Sequence, residues 1–395
     1  MPLCLHITTE NDLNIENKET IHQLNIRIDK IKNLQNIDKF INLKKFDAYC
    51  NKDLKNIYGL EKLNKLENVN IESCNLNKIP NLPYSIKEIN FYNNKITEIP
   101  DFTNYTNLVK FNICKNNIYN IYNFSNLNNI SHLDLSYNPL NNIIDFKNIN
   151  LPKLIKLDLS CTNINEILHI DKLTKLKILI INNNNITQIH KLPLSLTYLS
   201  CCNNNLKNLP DLSYLINLIK LFCNNNILKN IPLLPLNLKL LSCKGNYKLN
   251  NLSILPNKLE SLLCANCNIS ELPILPNTLK YINCEFNNLK NLNKLQHCNN
   301  LIEVFVSNNN ITNISGIKDK KLLYLNIIKN KLHNIPKCFY TIKTKYIYTT
   351  DLSFHNFKKY KSYINCNSLS YILNKKINYY YYKHINLYYY INYIF

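Results

Sequence analysis

Residues 196–206 read LTYLSCCNNNL, and residues 218–228 read LIKLFCNNNIL. The stretches LESLLCANCNI (259–269) and LKYINCEFNNL (279–289) obey the same rule. All four fit LxxLxLxxNxL with cysteine in the third apolar position, save that the third has cysteine for the asparagine. Numbering the template from slot one to slot eleven, it starts at Ile21, Leu43, Leu66, Ile86, Leu108, Ile130, Leu154, Leu176, Leu196, Leu218, Leu238, Leu259, Leu279, Leu301 and Leu322. The spacings run from 20 to 24 residues, and the units at Leu43 and Leu238 carry one extra residue after slot nine. Self-similarity at such a period marks a stacked repeat array.

The central LxL alternates with period two, so each unit supplies one short strand with apolar side chains on one face. Stacked units place these strands in a parallel sheet, ~4.8 Å apart. Slot nine turns the chain out of the sheet. It is asparagine at Asn51, Asn94, Asn116, Asn138, Asn184, Asn204, Asn226, Asn246, Asn287, Asn309 and Asn330. A buried amide there can bond backbone groups that the turn leaves unpaired, forming a ladder along the stack. Asp29, Cys74, Thr162 and Cys267 replace it in the other four units. Cysteine is the weakest substitute, so local softness is expected near Cys74 and Cys267.

The pattern resembles the leucine-rich repeat over about residues 21–340. Units ending in IPNLP (79–83), IPLLP (231–235) and LPILP (272–276) are similar to the short LPxxL type of bacterial effector proteins. Units such as LTKLKILIINNNNITQI (173–189) are similar to the 22-residue type of phosphatase-regulatory and internalin-like proteins. The resemblance implies a repeat solenoid, α/β by family but mostly β and extended: a horseshoe with a parallel concave sheet. Two prolines three apart favour an extended return path, so the convex side is expected to be non-helical with occasional 3₁₀ turns. Residues 1–20 read as an N-terminal cap, in which LCLHITT (3–9) alternates like a strand. Residues 21–340 form the solenoid of about 15 repeats, and 341–395 a C-terminal cap and tyrosine-rich tail.

Composition constrains function weakly. Glycine (3) and tryptophan (0) are nearly absent, while lysine, asparagine, isoleucine and tyrosine abound. That bias follows codon composition and fits an AT-rich genome, as in a protist or a large DNA virus. The formal charge of +21 is almost all scattered lysine. No basic run and no arginine set for bidentate phosphate contacts accompany it, which disfavours nucleic acid as a dedicated partner. The chain shows no signal-peptide pattern at its start and no apolar run long enough for a membrane span. With 15 cysteines this implies free thiols in a reducing compartment, and an intracellular, cytoplasmic location is expected.

No catalytic constellation, cofactor motif or metal spacing stands out. Cys201 and Cys202 are strand neighbours facing opposite ways. Cys201, Cys223, Cys243, Cys264 and Cys284 all occupy slot six, and stacked parallel side chains do not converge on one ion. They read as small buried hydrophobes, whereas slot-seven Cys114 and Cys202 are expected to face solvent and react. Bacterial effectors with similar repeats carry a ubiquitin-ligase domain after them. Here too little chain follows, and Cys366 has no acid-base partner, so that activity is not carried over.

Slots three, five, seven and eight face outward on the sheet. In the first seven units slot five is polar: Asn25, Asp47, Asn70, Asn90, Asn112, Asp134 and Asp158. From the eighth unit apolar residues enter, and Ile180, Tyr198, Phe222, Leu240, Leu263, Tyr281, Phe305 and Tyr324 form a stripe. Exposed apolar patches mark interaction sites, and aromatic anchors dominate interfaces. The expected function is therefore a non-enzymatic scaffold binding an unidentified protein on its concave face. The alternative is charge-driven binding of an acidic partner, nucleic acid or an anionic membrane, by the lysine coat. Whether the tail covers the stripe, and the oligomeric state, stay open.

Overall fold

A computed structural model of the chain describes residues 3–7, 10–26, 34, 36–124, 127–140, 142–332 and the backbone of 343–348. Asp29, the tyrosine-rich tail and Cys366 lie outside these residues. A single sheet of 17 strands runs through the described chain. Fifteen of its strands are the LxL segments, from Ile21–Ile26 to Lys321–Asn326. Every pairing is parallel, and the register repeats slot for slot: Leu199, Leu221, Leu241, Leu262, Ile282, Val304 and Leu325 stand side by side.

The sheet continues past both ends of the template. Leu3–Ile7 pairs in parallel with Ile21–Ile26, so the first segment adds a strand to the opening unit. Lys343–Tyr348 pairs with Lys321–Asn326 at an offset of 22, with Tyr346 opposite Tyr324. The parallel pairing thus runs beyond residue 340.

The core is a tunnel of apolar columns from slots one, four, six and eleven, the positions the alternation points inward. Its filling changes along the array. The largest fully buried side chains of the first units are phenylalanines: Phe40, Phe46, Phe91, Phe102, Phe111, Phe124 and Phe146. Phe111 packs against both Phe102 (centroids 5.3 Å apart) and Phe124 (5.7 Å). Later units carry cysteine in slot six, and Cys201, Cys223, Cys243, Cys264 and Cys284 are all fully buried.

A feature absent from the template controls the exit from each strand. Slot eight is left-handed in each unit from Cys50 (φ 56) through Asn93, Asn183, Asn203, Asn225 and Asn266 to Lys329 (φ 55). Asparagine tolerates this region better than most residues, which explains part of its abundance. Gly245 (φ 76) answers the same demand, and a Cβ there would also lie 2.1 Å from the Asn225 Oδ1.

Among the described residues the convex side has no α-helix. Units of the longer type close with single 3₁₀ turns, such as Leu60–Lys62, Ile170–Lys172 and Asn293–Leu295. Proline-bearing units return extended, as two fixed φ angles dictate. Ile143–Asp145 and Glu166–Leu168 pair there as a separate two-stranded sheet.

Candidate functional site

The polar residues of the concave sheet are tied into the fold. A strand only three residues long leaves the slot-seven N–H unpaired, and the slot-five side chain accepts it. Asn90, Asn112, Asp134, Asp158 and Asn283 cap Tyr92, Cys114, Ser136, Ser160 and Glu285 at 2.9–3.2 Å. Where slot five holds serine, the amide of the preceding slot seven substitutes. Asn182 Oδ1 accepts from Ser200 Oγ (2.8 Å) and Cys202 N–H (2.7 Å). Asn224 Oδ1 accepts from Ser242 Oγ (2.6 Å) and Lys244 N–H (2.9 Å).

The carboxylates of the sheet surface are therefore structural in part. Asp47 is buried, takes Gln23 and Tyr49, and pairs with Lys45. Asp158 lies opposite Asp134 on the next strand. Burial and the Asp134 charge push its carboxyl up to about 6. Glu285, 2% exposed, accepts Ser307 Oγ at 2.6 Å and Asn326 Nδ2 at 2.8 Å. Burial raises its carboxyl as well.

The apolar stripe divides into floor and rim. Tyr198, Phe222, Leu263, Tyr281, Phe305 and Tyr324 are half-buried and keep a face toward the concavity. Tyr198 and Phe222 lie on adjacent strands with ring centroids 5.4 Å apart. Ile180 and Leu240, expected to be open to a partner, are instead buried at 4% and 8% exposure. Strands ~4.8 Å apart are closer than the width of a large side chain, so neighbouring residues close over a short aliphatic one. These two form a floor on the sheet rather than contact points.

The slot-nine amides hold the stack together. Asn226 Nδ2 donates to Cys201 O (3.0 Å) in the preceding unit and to Cys223 O (3.2 Å) in its own. Its Oδ1 accepts the slot-eleven N–H of Leu206 at 3.0 Å. Asn94, Asn116, Asn138, Asn184, Asn204, Asn246, Asn287, Asn309 and Asn330 donate in the same way to the preceding slot six.

The exceptions follow one rule. In the unit before Cys74, Leu54 N–H bonds its own Asn51 carbonyl. Leu140 N–H bonds Asn138 O before Thr162, and Leu249 N–H bonds Asn246 O before Cys267. No acceptor is then required from the next unit, and a donor suffices. Cys267 Sγ lies 3.4 Å from Cys243 O, and Thr162 Oγ1 lies 2.8 Å from Leu159 O. The softness expected at the cysteines is replaced by a local turn.

Repeating parallel strands, an internal amide ladder and an extended convex return decide the architecture. The fold is a leucine-rich-repeat solenoid. No family model and no curated protein matches the chain. Solved structures of similar architecture do. A leucine-rich-repeat protein of Leptospira interrogans is 20% identical, with TM-score 0.64, over 92% of this chain and 99% of that one. YopM from Yersinia enterocolitica is 23% identical, with TM-score 0.57, over 78% and 74%. The Toll–Spatzle complex of Drosophila aligns at 17% identity and TM-score 0.66, over 84% of this chain and 51% of that one.

Within this leucine-rich-repeat solenoid the cysteine column is closed to solvent. Burial raises the thiols of Cys201 and Cys223 far above their ordinary range. Cys264 and Cys284 approach to 3.1 Å between sulfurs, and that hydrogen bond together with burial raises Cys264. Cys114, expected to be open, is 7% exposed with its thiol pushed up to about 11 by burial. Cys202 is half-buried and raised for the same reason. The sheet surface shields slot seven, so among the described residues the exposed thiols are Cys4 and Cys50. Among the described residues no group of three histidines, cysteines or carboxylates could hold a metal ion.

A second surface of the solenoid escaped the template. The most exposed large aliphatics lie on the return segments and the turns before the strands: Ile274 (83%), Ile254 (81%), Leu236 (78%), Ile216 (64%), Leu233 (61%) and Leu194 (60%). A second amide ladder orders those turns. Asn217 Nδ2 donates to Leu194 O at 3.0 Å, and Asn237 Nδ2 to Ile216 O at 2.8 Å. Part of the signal was present in sequence as an apolar residue straight after a proline, at Leu194, Leu233, Leu236 and Ile274.

Proposed function

We propose that this solenoid is a non-enzymatic protein-binding scaffold whose partner docks on the later half of the concave sheet. One observation carries the reading. Tyr198, Phe222, Leu263, Tyr281, Phe305 and Tyr324 keep partly open faces on a rigid sheet, while the polar groups around them are engaged internally. Half-buried aromatic rings held in place lose little entropy on binding and make effective anchors. Extended concave surfaces of repeat arrays suit such contacts. The Toll structure, similar in fold, is itself a complex with Spatzle.

The test is an affinity capture from source-cell lysate at about 300 mM salt, comparing the native chain with Phe222→Asp/Phe305→Asp. A partner held by the native chain and lost from the variant supports the concave site. Identical partners on both chains refute it. A partner lost from both between ~50 and ~200 mM salt follows the steep salt law of phosphate contacts and favours the lysine-coat alternative.

A further inference from the structure

The aliphatic flank has its own logic, independent of the concave reading. Leu194, Ile216 and Leu236 occupy the second position before slot one in three consecutive units. Leu233, Ile254 and Ile274 occupy the fifth position before slot one, again in three consecutive units. The parallel register stacks equivalent positions, so each trio forms a column. The two columns overlap in the turn between Leu218 and Leu238. Their backbone is fixed: Asn217 and Asn237 hold the Leu194 and Ile216 carbonyls, and Ser253 Oγ bonds Ile231 O at 2.7 Å beside Leu233. Rigid turns thus hold six large aliphatic side chains out in water, where each costs free energy.

The charge beside them is mainly positive, and Glu271, three residues before Ile274, pairs with Lys294 at 3.4 Å. Residues 188–258 contain eight lysines and a single acid, Asp211, whose carboxylate is spent on capping Ser213. Exposed Lys175 and Lys177 border the Leu194 end of the turn column, and exposed Lys239 and Lys258 border the Leu236 end. The nearby Glu260 is matched by two lysines, Lys239 at 3.3 Å and Lys280 at 2.8 Å. A rigid row of aliphatics bracketed by lysines complements one kind of surface closely. Apolar side chains enter the acyl boundary, while long lysine stems lie flat and their ammonium groups meet anionic headgroups.

We propose that this flank, Leu194, Ile216 and Leu236 with Leu233, Ile254 and Ile274, docks the solenoid on an anionic lipid bilayer. Attachment is peripheral: among the described residues no helix is long and apolar enough to cross a membrane. None of the six flank residues belongs to a strand of the concave sheet, which stays available to a protein partner.

The experiment uses the full chain and vesicles of phosphatidylcholine with about 30% phosphatidylserine, against pure phosphatidylcholine. The native chain is expected to sediment with the anionic vesicles. Leu194→Ser/Ile216→Ser/Leu236→Ser should reduce binding at least tenfold, and Leu233→Ser/Ile254→Ser/Ile274→Ser should do likewise. All six sites are exposed, so unchanged circular dichroism is expected for both variants. Because the chain has no tryptophan, Leu236→Trp supplies a single probe whose emission should shift to the blue on the anionic vesicles. Both serine variants should still capture the concave partner, which separates this proposal from the previous one. Absence of native binding overturns the proposal. So does equal binding by the serine variants, which would mean lysine adsorption alone. A vesicle-free dimer dissolved by those substitutions would instead make the flank an interface between copies.

Discussion

Cys267 and Asn226 occupy the same slot with different duties, and the difference is measurable. Asn226 satisfies Leu206 N–H and two carbonyls. Removing it strands buried polar groups, at ~1–3 kcal/mol each, so Asn226→Ala should cost about 3 kcal/mol. Cys267 supplies only a weak donor, since Leu249 N–H is served by Asn246 O. Cys267→Ala should cost about 1 kcal/mol. Urea titrations of the two variants decide the matter, and equal losses would refute the division of labour. Asp158 gives a second residue-scale test. Its folded carboxyl is raised to about 6 by burial and Asp134, above the ordinary ~3.9 of an unfolded aspartate. Between these values the unfolded chain releases its proton first. The stability from protonated Asp158 is thus complete below pH ~4 and lost as pH rises through ~6. Asp158→Asn keeps the acceptor for Ser160, as Asn112 does for Cys114. The variant should melt higher than the native chain at pH 7.5 and show little advantage at pH 4. An equal gain at both pH values would contradict the raised carboxyl.

At the scale of the repeated element, the slot-six column behaves as a strip of apolar wall. Cys4 and Cys50 are exposed, whereas Cys201, Cys223, Cys243, Cys264 and Cys284 have no accessible surface. Iodoacetamide at pH 7.5 should therefore modify Cys4 and Cys50 in the folded chain, with the column reacting only under denaturant. Mass spectrometry of early time points checks this, and early modification of Cys223 or Cys243 would show the column to be open. The element also shows what sequence can carry. Strand position, inward columns and the slot-nine amides were legible because each is a one-residue demand repeated in register. The duty of slot five was not legible. The alternation places Asp134 and Asp158 outward, but only the shortness of the strand reveals that a slot-seven N–H needs their oxygens. Ile180 and Leu240 were misread for a related reason: burial by lateral neighbours depends on strand spacing, which the alternation does not encode. The left-handed slot eight was hidden because Lys115, Tyr137 and Phe286 fill it as well as asparagine does. The aliphatic flank was hidden among the prolines that set its backbone.

At the scale of the whole molecule, two differently filled cores meet near the centre of the stack. Buried phenylalanines fill the units up to Phe146, and leucine with cysteine fills those from Leu196 onward. Asn184 sits at the junction. Its Oδ1 accepts Thr162 N–H (2.9 Å), Thr162 Oγ1 (3.1 Å) and Ile164 N–H (3.3 Å), and its Nδ2 donates to Leu159 O (2.7 Å). Three incoming bonds on one side chain tie the Leu154 and Leu176 units together. Stability in a solenoid is close to a sum over units and their nearest-neighbour interfaces, so cooperativity is only as strong as the weakest interface. Asn184→Ala removes the central connection while leaving both cores intact. The native chain should unfold in urea in a single transition. The variant should lose about 3 kcal/mol and split into two transitions, each with a smaller denaturant slope because each exposes less surface. Asn226→Ala, placed within the later half, is expected to lower the midpoint of that half without dividing the rest. One transition with an unchanged slope in the Asn184 variant would show that apolar stacking alone couples the halves, and that the amide ladder sets register rather than cooperativity.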